Sequence, residues 1–241
     1  MSAENTTDPA RLNKTINHPP KKYMRDNVTY SSHAPIRFDL QIIADWITPG
    51  AKVLDLGCGS GELLQYLIEN KQVIGTGIES AENKVADCIA RGLSVLQGDL
   101  NEEIRDYPDN AFDYAILSQT LQQVYEPAEL IASLLRIGRR VVVSFPNFSN
   151  WISRLQLFVT GIAPKTRELP YEWYNTPNIR VITIKDFRRF ASDIGIQIIK
   201  EVAINTHNEN RSGAIIRVLP NLRATYGVML LAKIQEEDLT P

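Results

Sequence analysis

Two cysteines and three histidines are all that the 241 residues contain of the side chains that most often hold metals or act as activated nucleophiles. Cys58 and Cys88 cannot build a disulfide framework, and none of the spacings CxxC, HxxxH or HExxH occurs, so no metal site is expected. His18 falls in a polar N-terminal stretch, His33 just before the first expected helix and His207 in an expected late loop, none of them beside a plausible nucleophile. An excess of either charge is lacking too. With 26 Lys and Arg against 28 Asp and Glu the formal charge is −2, which gives no global pull toward nucleic acid or an anionic membrane. The pairs Arg139-Arg140 and Arg188-Arg189 read as solvated helix faces or strand ends. No apolar run approaches the ~20 residues of a spanning helix, and the N-terminal stretch has no apolar secretory core, so the chain is expected in the cytoplasm.

What is present is ordinary globular material, 44% apolar and 22% charged, enough for one sizeable core. Residues 1–27 are rich in Asn, Thr, Lys and Pro without periodicity and read as a flexible leader to a single domain, 28–241. Phe38, Ile42 and Trp46 recur at helical spacing until Pro49-Gly50 stops them. Strand and helix then alternate. KVLDLG reads as a buried strand, GELLQYLIEN as a helix facing inward through Leu63, Leu64, Leu67 and Ile68, and QVIGTGIE as a strand. Ser80, with Asn83 three residues on, is expected to cap a helix whose inner face is Val85, Cys88 and Ile89, and Gly92 to stop it. SVLQ and FDYAILS are further strands, Pro127 opens a helix, and RVVVSF is apolar enough for the centre of a sheet. This order predicts a doubly wound α/β sheet of parallel strands. Residues 146–183, with Trp151, Tyr171, Trp173, Tyr174 and several prolines, break the pattern and read as an aromatic-rich cap holding a helical turn or two in WISRLQLFVTG. Thr183 then caps IKDFRRFASDIG with Asp186 in the capping-box position, and IQIIKEVAI and TYGVMLLAKI close the sheet as an antiparallel pair.

The stretch VLDLGCGSG is the first strand-to-helix turn of that sheet, the usual ligand cradle of the architecture. Gly57, Gly59 and Gly61 leave backbone bare where it must turn tightly and lie close to a ligand, and Cys58 between them reads as a small packing thiol. The spacing is GxGxG rather than the GxGxxG of dinucleotide sites, and Asp55 ahead of it would repel a pyrophosphate but suits an ammonium group. Glu79 ends the second strand of the alternation where a carboxylate accepts both ribose hydroxyls. Asp99 in QGDL can accept an adenine amine while the Leu100 backbone offers an N–H. A glycine-rich turn alone also serves tight packing; three strand ends together describe a ligand carrying both a nucleoside and an amino acid, and S-adenosylmethionine, or S-adenosylhomocysteine, fits.

VLDLGCGSGELL, QGDL, FDYAILSQTLQQV, VVVSFPNFSNW, RLQL, LPYEWYNTPNI and TIKDF together resemble the methionine biosynthesis protein MetW family, over about residues 36–204. The resemblance implies a Rossmann-like class I S-adenosylmethionine-dependent methyltransferase fold. It also implies association with homoserine O-acyltransferases in methionine biosynthesis. Ser60 stands where the family commonly has an acid and Arg180 where it commonly has histidine, and the leader is longer than usual.

Two roles stay open on these residues. Ser118, Gln119 and Thr120 with Asn147 supply polar groups beyond the strand ends, and Tyr171, Trp173, Tyr174 and Asn175 could lid a substrate pocket, as a methyltransferase for an unidentified small molecule would need. The same aromatic segment, Phe148 to Arg180, could instead dock a partner, which is the favoured expectation. FPNF lacks the acid-Pro-Pro-aromatic signature of amide-nitrogen methyltransferases, and no motif identifies an acceptor or a catalytic residue.

Overall fold

A computed structural model describes residues 22–25, 28–31, 36–207 and 212–233. Two units divide the chain between residues 33 and 34. In the first, β1 (Lys22–Arg25) and β2 (Val28–Ser31) pair antiparallel. Residues 1–21 and 26–27 of the expected leader lie outside the described residues.

The second unit opens with α1 (Phe38–Trp46), then β3 (Lys52–Leu56), α2 (Glu62–Lys71), β4 (Ile74–Glu79), α3 (Glu82–Ala90), β5 (Val95–Gln97) and the short α4 (Leu100–Glu103). After it come β6 (Phe112–Ser118), α5 (Pro127–Ile137), β7 (Gly138–Pro146), α6 (Trp151–Thr160), α7 (Ile184–Asp193), β8 (Ile196–His207), β9 (Ser212–Ile215), α8 (Pro220–Arg223) and β10 (Tyr226–Lys233). The sheet runs β5-β4-β3-β6-β7-β10-β8-β9. The first five strands in that order are parallel, and β10, β8 and β9 continue antiparallel. This is the doubly wound sheet that the alternation predicts. The extra edge strand β9 is four residues long and carries no alternation to announce it.

Burial explains the order. Val53, Leu54 and Leu56 in β3 and Val141, Val142 and Val143 in β7 are fully buried, as in strands covered on both faces, and Leu54, Leu56, Val141 and Val143 share one core cluster with Leu130, Ile131, Leu134 and Ile137 of α5. Among the described residues no helix is long and apolar enough to cross a membrane.

Four local readings change. Ala81, not Ser80, holds the N-cap position of α3, and its methyl side chain can make no cap bond; its own N–H is taken by the Glu79 carboxylate at 2.9 Å. Ile89 is 61% exposed, since α3 lies at the edge of the sheet, against β5 and β4, and turns a narrow face, Val85 and Cys88, inward. His207 ends β8 rather than lying in a loop, since pairing with Ser212 of β9 extends the strand past the apolar run. The segment WISRLQLFVTG is a full helix, α6, capped by Asn150 accepting from the Ile152 N–H, with Ser153 its only buried residue.

Candidate functional site

The chain lays β3, β4 and β5 outward on one side, then returns to set β6 against the other side of β3, so strand order reverses between β3 and β6. Ligands of open α/β sheets bind at such a reversal. Here a cleft of about 750 Å³ opens at the ends of these strands, within the range of small-molecule sites.

The glycine turn forms one wall. Gly57 and Cys58 donate their N–H groups to the Ile78 carbonyl, at 2.8 and 3.2 Å, which pins the loop to β4. The Glu79 carboxylate locks it further: one oxygen accepts from Gly59 N–H and the other from Ala81 N–H, both at 2.9 Å. Gly57 and Gly59 both sit at positive φ, 67° and 58°, but for different ends. A side chain on Gly57 would come within 2.7 Å of Thr120 Oγ1, whereas one on Gly59 would meet no protein atom within 4 Å. Gly57 permits loop-to-loop packing, and Gly59 presents bare backbone to open space. Gly61 is a packing residue, buried beneath the loop, where an added Cβ would lie 2.3 Å from Leu93 and 3.0 Å from Cys88 Sγ.

Two buried carboxyls line the cleft, Asp55 at 3% and Glu79 at 7% exposure. Burial, and then the charge of Glu79, pushes the Asp55 carboxyl up to about 7, against the opposing charge of Arg37. Burial together with the Asp55 charge pushes the Cys58 thiol up, so it is no thiolate nucleophile. Across the reversal, Ser118 Oγ meets Ser144 Oγ at 3.1 Å, and Gln119, at φ 52°, donates its N–H to the Ser144 carbonyl at 2.9 Å. The Gln119 amide reaches Asp39 at 2.6 Å, and Asp39 is gripped by Arg37 through Nε at 3.2 Å and Nη2 at 3.0 Å. Asp99, at the rim, accepts the Asn101 N–H at 2.8 Å and so caps α4.

Of the residues singled out in the sequence, the cleft brings together Asp55, Gly57, Cys58, Gly59 and Glu79 on one side and Ser118 and Gln119 on the other, with Asp99, Leu100 and Tyr171 also lining it. Gly61, Asn147, Trp173, Tyr174 and Asn175 are not in its lining. Asn147 is buried and fully engaged, donating to the Asn221 and Ala224 carbonyls and accepting from Ser149 and Ile184, because it ties the end of β7 to α7 and α8. Trp173 and Tyr174 pack edge to face at 5.7 Å and are 76% and 70% exposed; Asn175 closes their turn by accepting from Glu172 N–H. Arg180 latches this segment to the loop after β6, donating to the carbonyls of Val124 and Tyr125 and, from its backbone, to Gln122. Arg37, Glu62, Lys84 and Tyr125 line the cleft and were passed over in the sequence. The signal for Arg37 was the Arg-Phe-Asp opening of α1, hidden because only the apolar period of that helix was weighed.

The family model for the methionine biosynthesis protein MetW matches residues 37–231. A bifunctional methionine biosynthesis protein MetXA/MetW of Rhodopirellula baltica is 34% identical over 194 residues, 76% of this chain and 31% of that one. A phosphoethanolamine N-methyltransferase of Arabidopsis thaliana is 27% identical over 49% of this chain and 29% of its own length. The chain thus spans about a third of the length of these relatives. Among solved structures, a SAM dependent methyltransferase from Archaeoglobus fulgidus superposes with a TM-score of 0.60 at 15% identity, covering 80% of this chain and 91% of that one. One from Thermotoga maritima gives 0.58 at 18% identity, covering 81% and 87%. These structural likenesses are of fold: a class I methyltransferase sheet.

Proposed function

The chain belongs to the methionine biosynthesis protein MetW family, and from that premise we propose that it binds S-adenosylmethionine or S-adenosylhomocysteine and serves as accessory or regulatory partner of a homoserine O-acyltransferase. The observation that carries the binding half is the pair of buried carboxyls, Asp55 and Glu79, converging on a cleft beside the bare backbone of Gly59. Buried carboxyls turned to a cleft favour a cationic or hydroxyl-bearing ligand. Asp55 suits the ligand's ammonium group and Glu79 its ribose hydroxyls. Glu79 already takes a backbone N–H on each oxygen, which orients the carboxylate and leaves lone pairs for two hydroxyls. Asp99 and Leu100 line the same cleft, which supports assigning them the adenine edge as acceptor and donor.

When bound, S-adenosylmethionine supplies an electrophilic methyl on a sulfonium. The chain's own residues offer that methyl little chemistry: the cleft lining contains no histidine, and the Cys58 thiol stays protonated. The partner half draws support from the Rhodopirellula relative, whose name joins MetXA and MetW in one bifunctional chain, and from the apolar surface exposed on α6 and the segment after it. Leu155, Phe158, Val159, Ile162, Trp173 and Tyr174 lie between 51% and 88% exposed, a density that marks interaction surfaces. A second reading, methyl transfer to a small acceptor, is favoured by Tyr125 and Tyr171, exposed aromatics in the cleft lining; such transfer needs alignment more than a base.

The test is calorimetric titration with S-adenosylhomocysteine. Glu79→Ala removes charge-assisted bonds to the ribose and is expected to weaken binding by about tenfold or more, with circular dichroism checking that the loop it also holds keeps the fold. Wild-type affinity in the variant would sink the ribose assignment. Multiple-turnover release of S-adenosylhomocysteine with a cell extract fraction would move the conclusion to the second reading.

A further inference from the structure

The arginine pair that the sequence presents as a strand end lies at the opposite end of the sheet from the cleft. Arg139 and Arg140 stand at the start of β7, Asp113 and Tyr114 at the start of β6, and the turn from Thr48 to Ala51 leads into β3. These three strands are parallel, so their amino ends meet, and there the residues line a hollow of about 360 Å³.

One arginine is fixed and the other is unpaired. Tyr114 is 3% exposed, and its hydroxyl lies 2.9 Å from Thr48 Oγ1. Arg140 donates through Nη1 to that hydroxyl at 3.2 Å, and its guanidinium stands 5.9 Å from the centroid of the Tyr114 ring, so a buried side chain holds it by both its polar tip and its face. Among the described residues neither Arg139 nor Arg140 has a carboxylate within ion-pairing distance, whereas Arg136, just before them, has Asp109. The acid in the lining, Asp113, accepts the Lys52 N–H through Oδ2 at 2.9 Å.

Two cations against one acid leave the hollow net positive in a chain whose formal charge is −2. A strand end that only needed solvation would not require a buried tyrosine to orient one of its arginines. Holding Tyr114 uses Nη1 of Arg140 and leaves the rest of its fork, with all of Arg139, for an anion, and guanidinium forks match the oxygens of a phosphate. The volume is that of a small-molecule site, and the overall charge gives no pull toward a polyanion.

We propose that this hollow is a second binding site, for the phosphate group of a small molecule. Arg139 and Arg140 take the phosphate oxygens, and the second oxygen of Asp113 accepts from a hydroxyl beside the phosphate. Tyr114 is the positioning residue: it orients Arg140, and Thr48 fixes its hydroxyl. The site shares no lining residue with the cleft between β3 and β6.

The experiment titrates the full chain calorimetrically with ribose 5-phosphate, ionic strength being held with sodium chloride and ribose serving as the control without phosphate. Ribose 5-phosphate is expected to saturate a single site per chain and to be displaced by inorganic phosphate, and ribose to give no saturable signal. Arg139→Gln, which removes a side chain without an ion pair to lose, is expected to weaken binding by about tenfold, and the double change with Arg140→Gln to abolish it. Tyr114→Phe keeps the ring but frees Arg140, and is expected to weaken binding by about threefold. Thermal midpoints check that each variant folds, and all of them are expected to keep their affinity for S-adenosylhomocysteine within about threefold of wild type. Ribose 5-phosphate bound equally by wild type and the Arg139 variant, ribose bound as well as its phosphate, or a wild type without saturable binding would overturn the site. So would a single-stranded oligonucleotide that binds more tightly than ribose 5-phosphate and is lost with the same arginines, since that result would assign them to a polyanion. None of these outcomes bears on the adenosyl reading of the cleft, which its own titration decides.

Discussion

Asp55 shows best what one residue contributes and costs. Its carboxyl titrates near 7, because burial and the neighbouring Glu79 charge both oppose ionisation. The folded value lies above the ordinary carboxyl value of 3.8, so the side chain stabilises the fold while protonated and that stability is lost as pH rises from 3.8 through about 7. Asp55→Asn is therefore expected to gain on the wild type over that window, by on the order of a few kcal/mol at the plateau above it, as read from denaturant midpoints at several pH values. A constant difference across the window would contradict the burial argument. Binding runs the other way. A cationic ligand needs Asp55 ionised, so affinity is expected to drop by up to about tenfold per pH unit below 7 and to level above it. At this scale the sequence showed the acids and the glycines, since each occupies a strand end or turn that the fold rule marks. It hid Arg37, whose place in the cleft depends on Asp39 and Gln119, a contact across 80 residues of chain.

Elements were legible wherever periodicity was strong. α2 and α5 appear where their apolar spacing puts them, and α7 where its cap does: the Thr183 hydroxyl oxygen accepts the Asp186 N–H at 3.0 Å. Thr183→Ala is expected to lower stability by about 1 kcal/mol, a drop of roughly 2–4 °C in the thermal midpoint by calorimetry, with ligand affinity unchanged. Gly61→Ala is expected to be worse, because it combines a φ of 77° with a Cβ 2.3 Å from Leu93, and to loosen α2 and the glycine turn together. A thermal midpoint equal to wild type would show that Leu93 yields freely. α3 and β9 were less legible for one reason. End elements bury too little for a pattern, as Ile89 and the four residues of β9 show. α6 misled differently: Trp151, Ile152, Leu155, Phe158 and Val159 share one stripe of the helix that faces outward, so sequence pattern alone could not say what covers them.

At the scale of the molecule, one sheet carries two separate features. The cleft gathers the acids at the strand reversal, and the segment from Trp151 to Arg180 carries apolar side chains outside the cleft lining, except at Tyr171. The doubly wound order was readable because strand and helix alternate through residue 146; the aromatic segment was readable only as a departure from that order. Separation of ligand site and docking surface is the central claim, and copurification tests it most directly. Tagged chain and the homoserine O-acyltransferase of the same organism are expressed together, with wild type compared against Phe158→Ser combined with Trp173→Ala and Tyr174→Ala. Truncating interface aromatics costs about 2 kcal/mol or more each, enough to lose a complex through a wash. The account predicts that the wild type retains the acyltransferase and the triple variant loses it, while the variant's affinity for S-adenosylhomocysteine stays within about threefold of wild type; an acyltransferase retained by the variant, or never bound by the wild type, would contradict it.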